Sequence, residues 1–303
     1  MEPDQVLYFD PPDRLLLEDF LPAATSPDLD GQSFDPEQAG QRGSRNALRA
    51  TRPGPPLPHL TLTYAMSLDC KISLARGAQT ALSGSRTRAM THYLRSRHDA
   101  ILIGVGTAEA DDPSLNCRFS ADGVNKLDLE KQPIPVILDP NGRWGCRRDC
   151  KVLQLARSGK GKAVLWIVGQ AKVASIDAAR QSNLDGAGAV IALEEPPDGD
   201  RIVEWGSLLQ HLSRRGITSL MVEGGGRVIA DLLREHNHRW VSSVVITIAP
   251  VWLGKSGVDV SPTRRSDAEN REVGRLETVS WLPLRNSVDG VIAGRFGPND
   301  VVV

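Results

Sequence analysis

The sequence predicts an α/β domain built on a mostly parallel sheet with helices on both faces. Three observations carry that expectation. From His59 onward, short β-rich apolar runs alternate with helical stretches. AILIGV at 100–105 is continuously apolar, as a strand buried on both faces should be. The last run, VDGVIAGRF at 288–296, follows a turn at Val288-Asp289-Gly290 and reads as a closing antiparallel strand.

Taken in order, residues 1–58 stand apart. They hold ten of the 20 prolines, eight acids and a single Arg14 within 1–30, and Arg42, Arg45, Arg49 and Arg52 within 41–52. PGPPLP at 53–58 reads as a stiff polyproline-like spacer. So few apolar residues cannot offset the entropy of ordering, and a largely disordered, proline-rich extension is expected. The exception is Leu15-Leu16-Leu17 with Phe20 and Leu21, a candidate turn of helix docked on the body. The remainder, 59–303, is expected to form one domain.

Within that domain LTLTYAM (60–66) reads as a strand. Residues 85–97 read as a helix with Met90, Tyr93 and Leu94 on one face and Arg88, His92 and Arg95 on the other. Further strands are expected at 100–105, 133–139, 163–169, 189–193, 219–223 and 241–254. Residues 203–216 form an amphipathic helix closed by Gly216, and 224–236 a glycine turn leading into a helix.

Composition excludes several classes. Lys+Arg 36 against Asp+Glu 37 leaves a net charge of −1, so no global field recruits nucleic acid or an anionic membrane. No apolar run approaches the ~18–20 residues of a membrane span. The acidic N-terminus lacks the basic start and apolar core of a secretory signal, and four cysteines are too few for a disulfide scaffold. A reduced, cytoplasmic chain is the expectation. Cys146 and Cys150 lack a second cysteine pair, and the six histidines form no HExxH, so no metal site is expected. There is no G-x-S-x-G elbow and no zinc-deaminase signature.

Open α/β sheets bind ligands beyond the carboxyl ends of their strands, which singles out three loops. In GVGTAEADDPSLNCR (104–118), Gly104 and Gly106 permit close backbone approach, and Thr107 can serve a helix amide or a phosphate oxygen. Asp111 is a candidate acceptor for a ribose or an amide, with a capping aspartate as the alternative. Arg118 is either a phosphate anchor or a surface charge. In VEGGGRVIADLL (222–233), amides after the glycines are free for an anion, or the turn is merely tight. Glu223 at that strand end needs a partner if buried, which a hydroxyl-rich or amine-bearing ligand could supply. Asp139-Pro140-Asn141-Gly142 is a strong turn signal. Asp69 and Lys71, in the turn after the first strand, are candidates for proton transfer and ring opening, or belong to a plain surface turn.

TLTYAMSLDCKIS (61–73), MTHYLRSRHDAILIGVGTAEADDPSLNCR (90–118), the ILD turn at 137–139 and SLMVEGGGRVI (219–229) together resemble the riboflavin-biosynthesis reductase family. The matched motifs are spread from Leu60 to Phe296, and the chain looks most like the fungal stand-alone type. The resemblance implies a dihydrofolate-reductase-like fold, NADPH as reductant and a homodimer. It also implies reduction of the ribosyl side chain of 2,5-diamino-6-ribosylamino-4(3H)-pyrimidinone 5′-phosphate. By position, it places Thr107, Asp111, Pro140, Gly225, Gly226 and Arg227 at the cofactor, and Arg95, Leu115, Arg118 and Glu223 at the substrate. On this reading Arg95 and Arg118 bind the substrate phosphate, and Glu223 holds the pyrimidine amino groups or sugar hydroxyls. The cofactor's 2′-phosphate could meet Arg143, Lys172, Arg227 or none of them. The sequence departs from the bacterial form at 76–82, where Gln79 and Ala81 stand at about the places of a serine and a tryptophan. A same-fold reductase of another pteridine or pyrimidine, or a non-catalytic NADPH-binding regulator, are the alternatives.

Overall fold

The computed structural model describes residues 5–23, 56–124, 128–196, 202–261 and 275–297. A nine-stranded sheet organises them, in the order β10-β11-β8-β1-β7-β3-β4-β5-β6. Its strands are β1 (His59–Ser67), β3 (Ala100–Gly104), β4 (Ile134–Leu138), β5 (Val164–Gly169), β6 (Gly188–Leu193), β7 (Ser219–Gly224), β8 (Ser243–Ala249), β10 (Leu276–Leu282) and β11 (Gly290–Phe296). The seven from β8 to β6 pair in parallel, and β11 pairs antiparallel with both β8 and β10. The expected closing strand is therefore β11, and β10 beside it was not expected. Lys71–Ser73 (β2) and Val258–Asp259 (β9) form a separate two-stranded ribbon. Strands this short give no periodic signal of their own.

Among the described residues there are seven α-helices: α1 (Pro11–Leu15), α2 (Ser85–Ser96), α3 (Val105–Asp111), α4 (Lys151–Arg157), α5 (Ala178–Leu184), α6 (Trp205–Ser213) and α7 (Gly226–Leu232). α2 has no side-chain cap from its own turn. Instead Asp289, in the turn before β11, accepts from the Gly84 amide at 2.8 Å and from the Thr87 hydroxyl. A residue two hundred positions away thus supplies the cap, and sequence alone could not reveal it. None of the described helices is long and apolar enough to cross a membrane.

The core has three parts. One joins Leu60, Leu62, Leu102, Val222 and Val244 to Trp205, Leu208 and Leu212 of α6 and to Val228, Ile229 and Leu232 of α7. A second packs Ile103, Ile137, Trp166 and Val168 against Leu115, Trp144 and Leu153. The third sets Ala89, Met90, Tyr93 and Leu94 of α2 on Met221, Val245, Val291 and Ala293. The N-terminal segment enters this third part through Phe9, Leu17, Phe20 and Leu21, all buried. Outside the excepted stretch at 15–21, the expectation of a largely disordered extension therefore does not hold over residues 5–14. The apolar residues of that segment are few, but they are placed to cover α2. The basic stretch at 41–52 and the start of the 53–58 spacer lie outside the described residues.

Candidate functional site

β7 lies between β1 and β3, so the carboxyl ends of these central strands open onto one crevice where the chain's direction around the sheet reverses. Four segments meet there: the β3–α3 junction, the β7–α7 junction, the β2–β9 ribbon and the loop running from α3 to Arg118.

The two glycine junctions touch. Gly225 has φ +96, a conformation glycine adopts freely. A methyl group there would lie 3.4 Å from both Gly104 Cα and Thr107 Oγ1. One at Gly104 would lie 2.9 Å from Val228 Cγ2. Gly104 is thus required by close approach and Gly225 by its positive φ, and Thr107 is set beside Gly225. Gly226 faces the ribbon, where a methyl group would come within 3.2 Å of Val258 Cγ1 and 3.3 Å of Ile72 Cδ1. Arg227 follows, exposed and without a hydrogen bond or ion pair among the described residues. Asp111 ends α3 with a carboxylate likewise uncommitted, and burial raises it above the ordinary carboxylate value. Pro140 follows β4, and its carbonyl accepts from the Gly169 amide at 3.0 Å. Just before it, Asp139 Oδ2 accepts from the Trp144 amide at 2.8 Å and from Trp166 Nε1 at 3.1 Å, fixing the turn.

The second half of the crevice is charged. The β3–β7 register shifts between Leu102 and Ile103, whose partners are Val222 and Gly224, so Glu223 is an extra residue in its strand. Such a bulge re-aims a side chain. Here it sends Glu223 to Arg95, with Arg95 Nε to Glu223 Oε1 and Nη2 to Oε2 both 2.6 Å. Arg95 Nη1 also donates to the Asn116 carbonyl at 2.9 Å. Burial alone would lower the Arg95 guanidinium, but the Glu223 carboxylate and its hydrogen bonds hold it above its usual value. The Arg95 fork is therefore filled by Glu223, so the expectation that Arg95 presents it to a phosphate is corrected. Leu115 has φ +49 and its side chain is buried in the core.

Arg118 is the opposite case. Its amide donates to His92 Nδ1 at 2.9 Å, and its Nη2 lies 3.2 Å from His92 Nε2. Burial, then the charges of Arg95 and Arg118, hold His92 down at about 2, so its ring is neutral. A neutral imidazole accepts at one nitrogen only, yet both nitrogens face donors of Arg118. Since the amide takes Nδ1, Nη2 faces an N–H and gains no partner. Arg118 Nε is also buried without a partner, as are Arg88 Nε and Asn116 Oδ1. Arg88 makes no side-chain hydrogen bond or ion pair among the described residues. Burial and the nearby Arg95 and Arg88 charges lower Arg118 below its ordinary value.

Arg88 and His92 complete a site that sequence reasoning assigned only to Arg95 and Arg118. Their spacing with Arg95 (88, 92, 95) is one stripe of α2, and that stripe was the available signal. Together Arg88, Arg95 and Arg118 carry three positive charges against one on Glu223, a surplus of two with His92 neutral.

Asp69 and Lys71 lie on the other wall. Asp69 accepts from the Ser67 hydroxyl at 2.5 Å and from the Leu253 and Gly254 amides at 3.0 and 2.7 Å. Those bonds hold its carboxyl down at about 2. Lys71 Nζ donates to Asp259 at 2.9 Å across the ribbon.

Comparison with known proteins finds one family model, that of the RibD C-terminal domain, matching residues 58–288. The 2,5-diamino-6-ribosylamino-4(3H)-pyrimidinone 5′-phosphate reductase of Debaryomyces hansenii is 38% identical over 238 residues, 78% of this chain and 90% of the relative. The protein of that name from Eremothecium gossypii is 40% identical over 244 residues, 79% of this chain and 89% of the relative. Among solved structures, the riboflavin biosynthesis reductase Rib7 of Saccharomyces cerevisiae superposes with a TM-score of 0.62 at 30% identity, covering 87% of this chain and all of that one.

Proposed function

The chain belongs to the RibD C-terminal domain family, and on that premise we propose that its crevice reduces 2,5-diamino-6-ribosylamino-4(3H)-pyrimidinone 5′-phosphate at the ribosyl carbon. It is an oxidoreductase of riboflavin biosynthesis, with the dihydrofolate-reductase-like fold of its relatives. The observation that carries the substrate is the pair Arg88 and Arg118, two half-buried guanidiniums whose Nε atoms lack acceptors. A phosphate monoester brings about −1.5 to −2 charges at neutral pH, which matches the surplus of two. An unphosphorylated pteridine would leave those donors unmet, at a cost of about 1–3 kcal/mol for each buried group.

NADPH is the reductant on this reading. Its cradle is the glycine junction, where the Gly225–Gly226 turn is set beside Thr107 and where Asp111 offers an uncommitted acceptor. Pro140 and Arg227 border it. Bound there, the cofactor would supply a hydride for C1′ of the substrate's open imine, whose nitrogen would take its proton from solvent to give the ribityl amine. The protein's part is to hold the two reacting carbons close, with Arg95 fixing Glu223 and Arg118 and Arg88 gripping the phosphate. Glu223 and Arg95 stand at the boundary between the halves, because β7 supplies both Glu223 and the glycines that follow it. Asp69 is anionic at neutral pH and fully hydrogen-bonded, so its role is to fix the 252–254 loop. Lys71, paired with Asp259 on the ribbon, is the group assigned to assist ring opening.

A homodimer completes the reading. β10 is an edge strand that turns Val279 and Trp281 outward, Trp281 67% exposed, and an open apolar edge favours a second copy. Residues 59–303 act as the reductase domain.

The direct test is absorbance at 340 nm with purified protein, NADPH and the ribosylamino-pyrimidine phosphate. Oxidation that requires this substrate is expected. Arg118→Ala is expected to raise the KM for it about 10–100-fold while leaving the Kd for NADPH unchanged. No oxidation, or equal oxidation with dihydrofolate, would overturn the assignment.

A further inference from the structure

The family match begins at residue 58, yet the polypeptide ahead of it is bonded to the substrate half of the site. Leu7 pairs with Phe119 in a parallel bridge. The Leu7 amide donates to the Arg118 carbonyl at 2.8 Å, and the Ser120 amide donates to the Leu7 carbonyl at 2.9 Å. With His92 accepting from the Arg118 amide, both backbone polar groups of Arg118 are held, one by α2 and the other by the N-terminal segment. Gln132 fixes the preceding residue in the same way, through both the amide and the carbonyl of Cys117.

The rest of the segment ties this bridge to α2. Arg14, itself buried, donates to the Phe9 carbonyl at 2.7 Å and to the Ala121 carbonyl at 3.1 Å. Its guanidinium lies 4.8 Å over the Phe119 ring. Phe9 and Phe119 both pack on Tyr93, at 5.5 and 5.2 Å between ring centroids. Glu18 accepts from the Tyr93 hydroxyl at 2.5 Å and from Arg97, and Asp10 pairs with Arg86 at 2.7 Å. The segment therefore bonds to both pieces of chain that carry the unpaired arginines, the 117–121 stretch and α2.

We propose that residues 5–23 are a strap that positions Arg118 for the substrate phosphate, with Leu7 and Arg14 as its positioning residues. The proposal rests on the reading of Arg118 as a phosphate ligand. The strap contributes no atom to the glycine junction, so its effect falls on the phosphorylated substrate and spares the cofactor. Positioning is reciprocal: if the strap fixes Arg118, an anion on Arg118 must stabilise the strap.

Two experiments on the full chain test this. In the first, Arg14→Ala is assayed alongside wild type. The expected result is a KM for the ribosylamino-pyrimidine phosphate at least tenfold higher, with kcat and the Kd for NADPH within about twofold of wild type and Arg14→Lys partly restoring the KM. A lower Tm with unchanged KM, or equal loss of NADPH binding, would mean the segment serves stability alone and would overturn the strap. The second needs no variant. Ribose 5-phosphate is added to the wild-type protein and amide hydrogen exchange is followed. Slower exchange at both Ser120 and Leu7 is expected, and protection confined to the 117–121 stretch would overturn the proposal. If Arg118→Ala still binds ribose 5-phosphate as wild type does, the phosphate assignment itself fails. That outcome is separable from failure of the strap, which leaves Arg118→Ala impaired but Arg14→Ala unaffected.

Discussion

At the scale of single residues, two histidines show how burial decides chemistry. His92 sits against Arg118 and is held neutral. His98 donates from Nδ1 to the Leu94 carbonyl at 2.7 Å and accepts at Nε2 from Thr61 at 2.8 Å, and burial holds it at about 4. Unfolded, both would protonate near pH 6.5. The unfolded chain therefore binds more protons than the folded one below that pH, so stability falls as the medium is acidified through the window from about 6.5 to 4, and further for His92. Between pH 7.5 and 5.5 the pair should cost about 2–3 kcal/mol, read as a lower urea midpoint at the lower pH. An unchanged midpoint would show that neither ring is neutral in the fold. The Arg95–Glu223 pair obeys the complementary rule. Each charge is buried to the same degree, with side chains 12% and 13% exposed, and each is tolerable only because the other is present.

At the scale of elements, the junctions matter more than the helices and strands they join. The β7–α7 turn works because Gly225 combines a positive φ with a close approach to Gly104 and Thr107. Gly225→Ala meets strain in the backbone, because φ +96 is a conformation side-chain-bearing residues rarely adopt. It should cost about 1–3 kcal/mol, lower Tm by several degrees, and weaken NADPH binding at least tenfold by titration of the purified protein. A variant binding NADPH as wild type does would remove this turn from the cofactor cradle. The bulge at Glu223 is the other such junction. Without the extra residue, Glu223 would point to the opposite side of the sheet, away from Arg95. The β2–β9 ribbon, five residues in all (three in β2 and two in β9), stands beside the same turn and holds Lys71 to Asp259.

At the scale of the whole molecule, the exposed face of β10 sets the expectation for assembly. Trp281→Glu should convert a dimer to a monomer by sedimentation, because it places a charge where a second edge strand would pack. A wild-type protein that sediments as a monomer at micromolar concentration would contradict the dimer. Much of this molecule was legible in its sequence. Continuous apolar runs such as 100–104 and 134–138 identify the parallel strands, since a strand covered on both faces has no polar side to display. The glycines at 224–226 and Thr107 mark the carboxyl-end loops for the same local reason. Tertiary structure alone decided the rest. Asp289 caps α2, Leu7 grips Arg118 and Glu223 fills Arg95, and each of these bonds spans more than a hundred residues of chain. Local pattern reports which face of an element is apolar. It carries no record of which distant polar group will meet a buried one, and in this protein that pairing separates the arginine already satisfied from the two whose donors remain unmet.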